Sequence, residues 1–114
     1  MSLITLRNEA LTVTISSLGA EMQSIRDARG RERLWQGDPA VWKGRAPILF
    51  PIAGGLKDDG YFLNGKRYDM PKHGYVRQLE WRLESANDTC ATYLMEEKAS
   101  GFPFDYALRV GYRL

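Results

Sequence analysis

The stretch YFLNGKRYDM (61–70) contains the strongest local signal in this chain. Asn64-Gly65 is the pair favoured in a type I′ turn, because both central residues of that turn need positive φ. Strand-forming residues flank the pair on both sides, so the stretch predicts a two-residue β-hairpin. Reading outward, the same period of two recurs. LTVTI (11–15) sets Leu11, Val13 and Ile15 against Thr12 and Thr14. LEWRLES (79–85) sets Leu79, Trp81 and Leu83 against Glu80, Arg82 and Glu84. YALRVGYRL (106–114) sets Leu108, Val110, Tyr112 and Leu114 on one face. Successive side chains on a strand point to opposite faces, so this alternation predicts half-buried strands.

Turn chemistry separates these runs. RNEA (7–10) joins two strand candidates, and Gly30 in DARGRE (27–32) takes a positive-φ position between MQSI and RLW. ANDT (86–89) leads from LEWRLES to CATYLMEE, and KASGFPFD (98–105) is a longer polar connection. DPAVW (38–42) could form one helical turn, with Asp38 capping and Pro39 first. RAPILFPIAGGL (45–56) breaks the alternation and reads locally as a buried strand with a bulge, limited by its two prolines. Short strands with regular turns predict an all-β chain, a sandwich or a barrel.

The 114 residues suggest one domain. Sixteen basic residues against 14 acidic, scattered and not gathered into a stripe, give no reason to expect a nucleic-acid partner. One cysteine, Cys90, excludes an internal disulfide and favours a reducing compartment. It lies in an apolar run and reads as a small buried hydrophobe. No CxxC or Cys/His cluster supplies a metal site. No apolar run approaches the ~18 residues of a membrane helix, and the N-terminal residues lack a signal-peptide pattern, so the expectation is a cytoplasmic protein.

PKHGYVR (71–77) holds the one histidine, His73, beside a glycine, an aromatic and two cations. From the residues alone a loop or satisfied core histidine is the plainer reading. Trp81 sits on the apolar side of its run and reads as core. Asp58-Asp59 read as a polar turn, with no second motif for glycosidase chemistry.

LGAEMQSI (18–25), LWQGDPAVW (34–42), APILFPIAGGL (46–56), YFLNGKRYDMPKHGYVR (61–77) and GFPFDYALRVGYRL (101–114) follow one another in that order. This series resembles the aldose 1-epimerase (mutarotase) family, in the branch with LFP-x-x-G and HGF-x-R-like segments. The resemblance covers essentially the whole chain. It implies an antiparallel β-sandwich of the galactose mutarotase-like supersandwich type, of which these residues would form the N-terminal portion. It implies cofactor-free interconversion of the α and β anomers of a sugar, with phosphorylated hexoses among the substrates of neighbouring branches. His73 matches the first active-site histidine and is expected to bond the ring oxygen or a neighbouring hydroxyl. Gly74 would let the sugar approach closely. Arg77, at i+4, would share His73's face on a strand and donate to a hydroxyl or phosphate. Arg45 is a second candidate donor, and Trp42 a candidate for stacking on the sugar.

Many relatives carry arginine where this chain has Gly55. The family's second histidine and its glutamate base come from segments with no counterpart here, and the last run alternates up to Leu114. The expectation is therefore the N-terminal part of a longer protein. Its exposed strand edges could pair between copies. The alternative function is a carbohydrate-binding β-sandwich module that does not catalyse.

Overall fold

A computed structural model describes residues 1–114 in full. The chain is all-β, with eight strands: β1 (Leu3–Arg7), β2 (Leu11–Ser16), β3 (Glu21–Asp27), β4 (Gly60–Leu63), β5 (Lys66–Asp69), β6 (Arg82–Ala86), β7 (Cys90–Met95) and β8 (Leu108–Arg113). All strand pairs are antiparallel. They form two three-stranded sheets, β1-β2-β3 and β6-β7-β8, and the separate hairpin β4-β5.

The alternation in the sequence explains how the two larger sheets share a core. Leu6, Val13 and Ile15 from the first sheet meet Ala91, Tyr93 and Met95 from the second in one buried cluster, completed by Ala20, Val76 and Trp81. In β3 the apolar residues Met22 and Ile25 are three apart and would face opposite sides of a regular strand. The register slips by one residue there, from Thr14 opposite Ser24 to Ile15 opposite Met22. The extra residue lets both side chains pack against the core.

Hydrogen bonds tie the sheets together at one end. The amide of Gly19 donates to the Leu79 carbonyl and that of Trp81 to the Ser17 carbonyl, both at 2.8 Å. The Tyr112 hydroxyl of β8 donates to the Ala20 carbonyl at 2.6 Å. The Trp81 indole N–H donates to the Val76 carbonyl at 3.0 Å, so the buried ring leaves no polar atom unpaired.

The sandwich is open and thin. Sixteen of 114 residues are buried, and the radius of gyration is 16.2 Å, against about 13 Å for a compact chain of this length. Every residue of β6 is exposed. β1, β3, β6 and β8 are the edge strands of the two larger sheets.

The local turn expectations hold. Asn64 and Gly65 have φ of 51° and 77° and join β4 to β5 as a hairpin. Asn8 caps the β1–β2 turn by accepting the amides of Ala10 and Leu11. Gly30 has φ 79°, and Asp38 accepts the Ala40 amide in a single turn at residues 39–41.

Other expectations are corrected. RLW forms no strand; the one bridge beside it joins Arg26 to Glu32, whose carboxylate turns back to accept the Ile25 and Leu34 amides. LEWRLES begins as strand only at Arg82. A register slip between Leu83 and Ser85 breaks its alternation, and Leu83 is exposed. Residues 46–56 form no strand. Phe50 makes one parallel bridge to Gly74, next to a cis Phe50–Pro51 bond. Cys90 is half-buried, a free thiol at the start of β7.

Candidate functional site

His73 sits in a loop built by two backbone segments that cross. Gly74 has φ 73°, and a Cβ there would lie 1.8 Å from the Phe50 carbonyl oxygen. That carbonyl accepts the amide of Tyr75 at 3.1 Å. The close approach that Gly74 permits in this structure is therefore that of Phe50, and Gly74 itself is buried.

The crossing brings Gly54 beside His73. The His73 amide donates to the Gly54 carbonyl at 2.9 Å, and the Gly54 amide donates to Nδ1 of the imidazole at 2.8 Å. An Nδ1 that accepts a hydrogen bond carries no proton, so the neutral ring holds its proton on Nε2. His73 is half-buried and has φ 67°, in the left-handed region that most residues avoid. The strained position turns the ring toward Gly54. Gly54 lies 19 residues before His73, and nothing in that spacing announces that the two meet.

An aromatic cluster braces the same loop. Phe50 packs 5.1 Å from Tyr106 and 5.7 Å from Phe102, centroid to centroid, and Phe104 continues the chain of rings to Tyr68 on β5. The hydroxyls of Tyr75 and Tyr106 lie 3.0 Å apart, and both reach the Glu97 carbonyl. Burial pushes the Tyr106 phenol well above its ordinary pKa. The period-two aromatics Phe102, Phe104 and Tyr106 in GFPFDY were the sequence signal for this brace.

Arg77 does not share a strand face with His73. The chain turns through the left-handed residues His73 and Gly74 and then a 3₁₀ turn at Val76–Gln78, so the i+4 argument loses its period. Arg77 instead lines a cavity of about 470 Å³ together with Trp42, Lys43, Gly44, Glu21 and Gln78. His73 does not line it.

Arg45 is engaged elsewhere. Its Nη1 donates to the Gln23 carbonyl at 2.6 Å and to Gln36 Oε1 at 3.1 Å, while its amide donates to Glu21 Oε1. Of the residues singled out in the sequence, Trp42 and Arg77 are brought together, and His73 and Gly74 are neighbours in a different loop. Asp58 and Asp59 form the expected turn, both at positive φ. No group of three or more His, Cys, Asp or Glu side chains converges as a metal site. No helix is long and apolar enough to cross a membrane.

The order of segments, the two facing sheets and the His73 loop together match a known architecture. The family model described as aldose 1-epimerase matches residues 2–114. The chain belongs to the aldose 1-epimerase family. It superposes on the X-ray structure of a galactose mutarotase related enzyme from Lactobacillus acidophilus with a TM-score of 0.96 at 36% identity, covering 99% of this chain and 39% of that one. A galactose mutarotase-like protein from Lactobacillus casei gives a TM-score of 0.94 at 36% identity, covering 99% and 40%. Among curated relatives, the chromosomal protein LacX of Lactococcus lactis is 40% identical over 121 residues, 97% of this chain and 40% of LacX. This aldose 1-epimerase family chain thus spans about 40% of the length of the relatives it matches. The all-β fold is that of the galactose mutarotase-like proteins.

Proposed function

We propose that this chain contributes His73 to a mutarotase site, bonded to the ring oxygen or a neighbouring hydroxyl of a hexose whose α and β anomers the site interconverts. Ring opening needs a base to take the C1 hydroxyl proton. As the O–H electrons form the C1 carbonyl, the C1–O5 bond breaks and an acid delivers a proton to O5. Rotation about C1–C2 and the reverse transfers close the ring on the other face. The observation that carries the reading is the Gly54 amide on Nδ1 of His73. It leaves Nε2–H as a fixed hydrogen-bond donor toward O5 or a neighbouring hydroxyl, which stabilises the charge that grows on O5 as the C1–O5 bond breaks, while the transferred proton comes from another acid. A preorganised donor of this kind contributes roughly 10²–10³-fold. The base and a second histidine would come from segments with no counterpart among these 114 residues. Trp42 and Arg77 are proposed as sugar contacts. Arg45 and Gly74 hold the backbone around the site, and a direct contact from either to sugar would need their present partners to be exchanged.

A second reading, a carbohydrate-binding module that does not catalyse, has one observation in its favour. The chain holds one histidine, and neither of its hydrogen bonds reaches a carboxylate.

Polarimetry separates the two. The product of the gene's whole reading frame should speed the mutarotation of fresh α-glucose or α-galactose above the buffer rate, and His73→Ala should lose about 10²-fold or more as its donor to O5 is removed. No acceleration by the unaltered protein removes the enzymatic reading. Sugar binding without acceleration leaves the binding module.

A further inference from the structure

We infer that the outer face of the first sheet binds a tetrahedral oxyanion, a phosphate or sulfate group, between Arg7 and Arg26. The site stands apart from the His73 loop and from the cavity beside Trp42, and it does not rest on the mutarotase reading.

Strand register builds the site. Leu6, Val13 and Ile25 pack in or against the core, so their neighbours along each strand point the other way. Arg7 of β1 stands opposite Thr12 of β2, and Thr12 stands opposite Arg26 of β3. Two residues along each strand, Thr5, Thr14 and Ser24 make a second row in the same order. An arginine, a threonine and an arginine therefore lie abreast across three strands, with a row of hydroxyls beside them. Two strand spacings separate the arginine backbones, about 10 Å, a gap that two long side chains close from either side around a small anion over Thr12. These residues line a cavity of about 300 Å³, with Arg45 as a third arginine on its wall. Arg45 is fixed there by the Gln23 carbonyl and Gln36 Oε1. The cavity shares no lining residue with the one beside Trp42. Charges that look scattered in the sequence are thus gathered by the sheet.

The charge on this face is unbalanced. No carboxylate and no apolar side chain lines the cavity. Glu9, Asp27 and Asp88 line the adjoining ones, but Arg7 forms an ion pair with none of them. Asp27 is held by Arg31 and Arg33. Arg26 lies 3.7 Å from Glu32, whose carboxylate already accepts the Ser24 hydroxyl and the Ile25 and Leu34 amides. The plainer alternative is the solvated outer face of an amphipathic sheet. Cross-strand charges on such a face favour opposite signs. That alternative does not account for two arginines flanking one threonine in a cavity without a carboxylate. Guanidinium forks match the geometry of phosphate and sulfate, and each threonine hydroxyl can turn its O–H outward as a further donor.

The site is tested by calorimetric titration of the product of the gene's whole reading frame with sodium phosphate, sulfate, glycerol phosphate and chloride, at matched low ionic strength so that screening is equal. Phosphate or sulfate should bind at least about tenfold more tightly than chloride. Glycerol phosphate separates the two sources of the group. An ester that binds as tightly as inorganic phosphate or more so marks a phosphorylated molecule as the ligand, and a weaker ester marks the free anion. Arg7→Gln and Arg26→Gln should each weaken phosphate about tenfold, and Thr12→Val about threefold. Arg113→Gln removes an exposed arginine from β8, in the other sheet, and should leave the affinity within about twofold. Arg7 and Arg26 are exposed, and circular dichroism checks that the variants keep their sheets. No binding, chloride as tight as phosphate, an unchanged affinity in either Arg7→Gln or Arg26→Gln, or an equal loss in Arg113→Gln would each overturn the inference.

Discussion

The Gly54 amide and Nδ1 of His73 lie 2.8 Å apart, and the same two residues exchange a second bond in the opposite direction, from the His73 amide to the Gly54 carbonyl. This reciprocal pair fixes both the ring's orientation and its tautomer. Because the chain has a single histidine, its imidazole signals in a ¹⁵N-edited NMR spectrum need no assignment. The neutral ring should show the Nε2–H tautomer in that spectrum. A predominant Nδ1–H form would leave Nε2 an acceptor, and the donor role proposed for His73 would fall.

Gly74 and Gly65 share a positive φ, 73° and 77°, but differ in their surroundings. A Cβ at Gly65 meets nothing within 4 Å, whereas one at Gly74 overlaps the Phe50 carbonyl. Gly65→Ala should therefore cost about 1 kcal/mol, from left-handed backbone alone. Gly74→Ala should cost about 3 kcal/mol or more, since overpacking adds to the same backbone term. Urea unfolding of the two variants side by side checks the difference. Equal losses would show that the crossing at Phe50 yields without strain.

At alkaline pH the buried phenols should destabilise the chain. Burial pushes the Tyr112 hydroxyl up to about 12, with smaller contributions from Tyr93 and Glu21. Tyr106, Tyr93 and Tyr61 are shifted in the same direction, also mainly by burial. A folded pKa above the unfolded value of about 10 means stability that is complete below pH 10. It is lost as pH climbs to about 12 for Tyr112. Tyr112→Phe removes the hydrogen bond to the Ala20 carbonyl and should cost about 1 kcal/mol near neutrality. It should also flatten part of the alkaline loss. Thermal melts from pH 8 to about 12, with phenolate absorbance recorded alongside, measure both effects.

On the acid side, Glu84 of β6 and Arg109 of β8 reach across β7. Nε of Arg109 lies 2.9 Å from Oε2, and Nη2 lies 3.0 Å from Oε1. The hydrogen bonds from Arg109 hold the Glu84 carboxyl below its ordinary pKa. A depressed folded pKa gives stability that is present above the unfolded value of about 4.3 and lost as pH falls through the folded one. Melting temperature should therefore fall below about pH 4 in the unaltered chain. Glu84→Gln should show a shallower acid slope and little change at neutral pH, because both groups are partly solvated. An identical acid slope in the variant would show that the pair contributes nothing measurable.

The hairpins were legible before any coordinates because their causes are local. Asn64-Gly65 selects its turn through φ preferences confined to two residues, and Asn8 caps its turn through an amide two residues away. The inward faces of β2 and β8 followed equally from period two. Alternation misled where register slips: Leu83 lost its apolar face at a bulge that no residue in LEWRLES announces. The family was legible as well, since five ordered segments carry it without reference to geometry.

From order and residue type alone, the sequence determined an all-β chain, its tight turns and its kinship with the aldose 1-epimerases. Tertiary structure alone decided which side chains meet. His73 faces Gly54 and not Arg77, because two left-handed residues and a 3₁₀ turn replace the strand that would have aligned them. Arg77 instead shares a cavity with Trp42, 35 positions earlier. Contacts of that kind depend on how separate segments cross in space, and no local propensity encodes the crossing of Phe50 over Gly74 that arranges them.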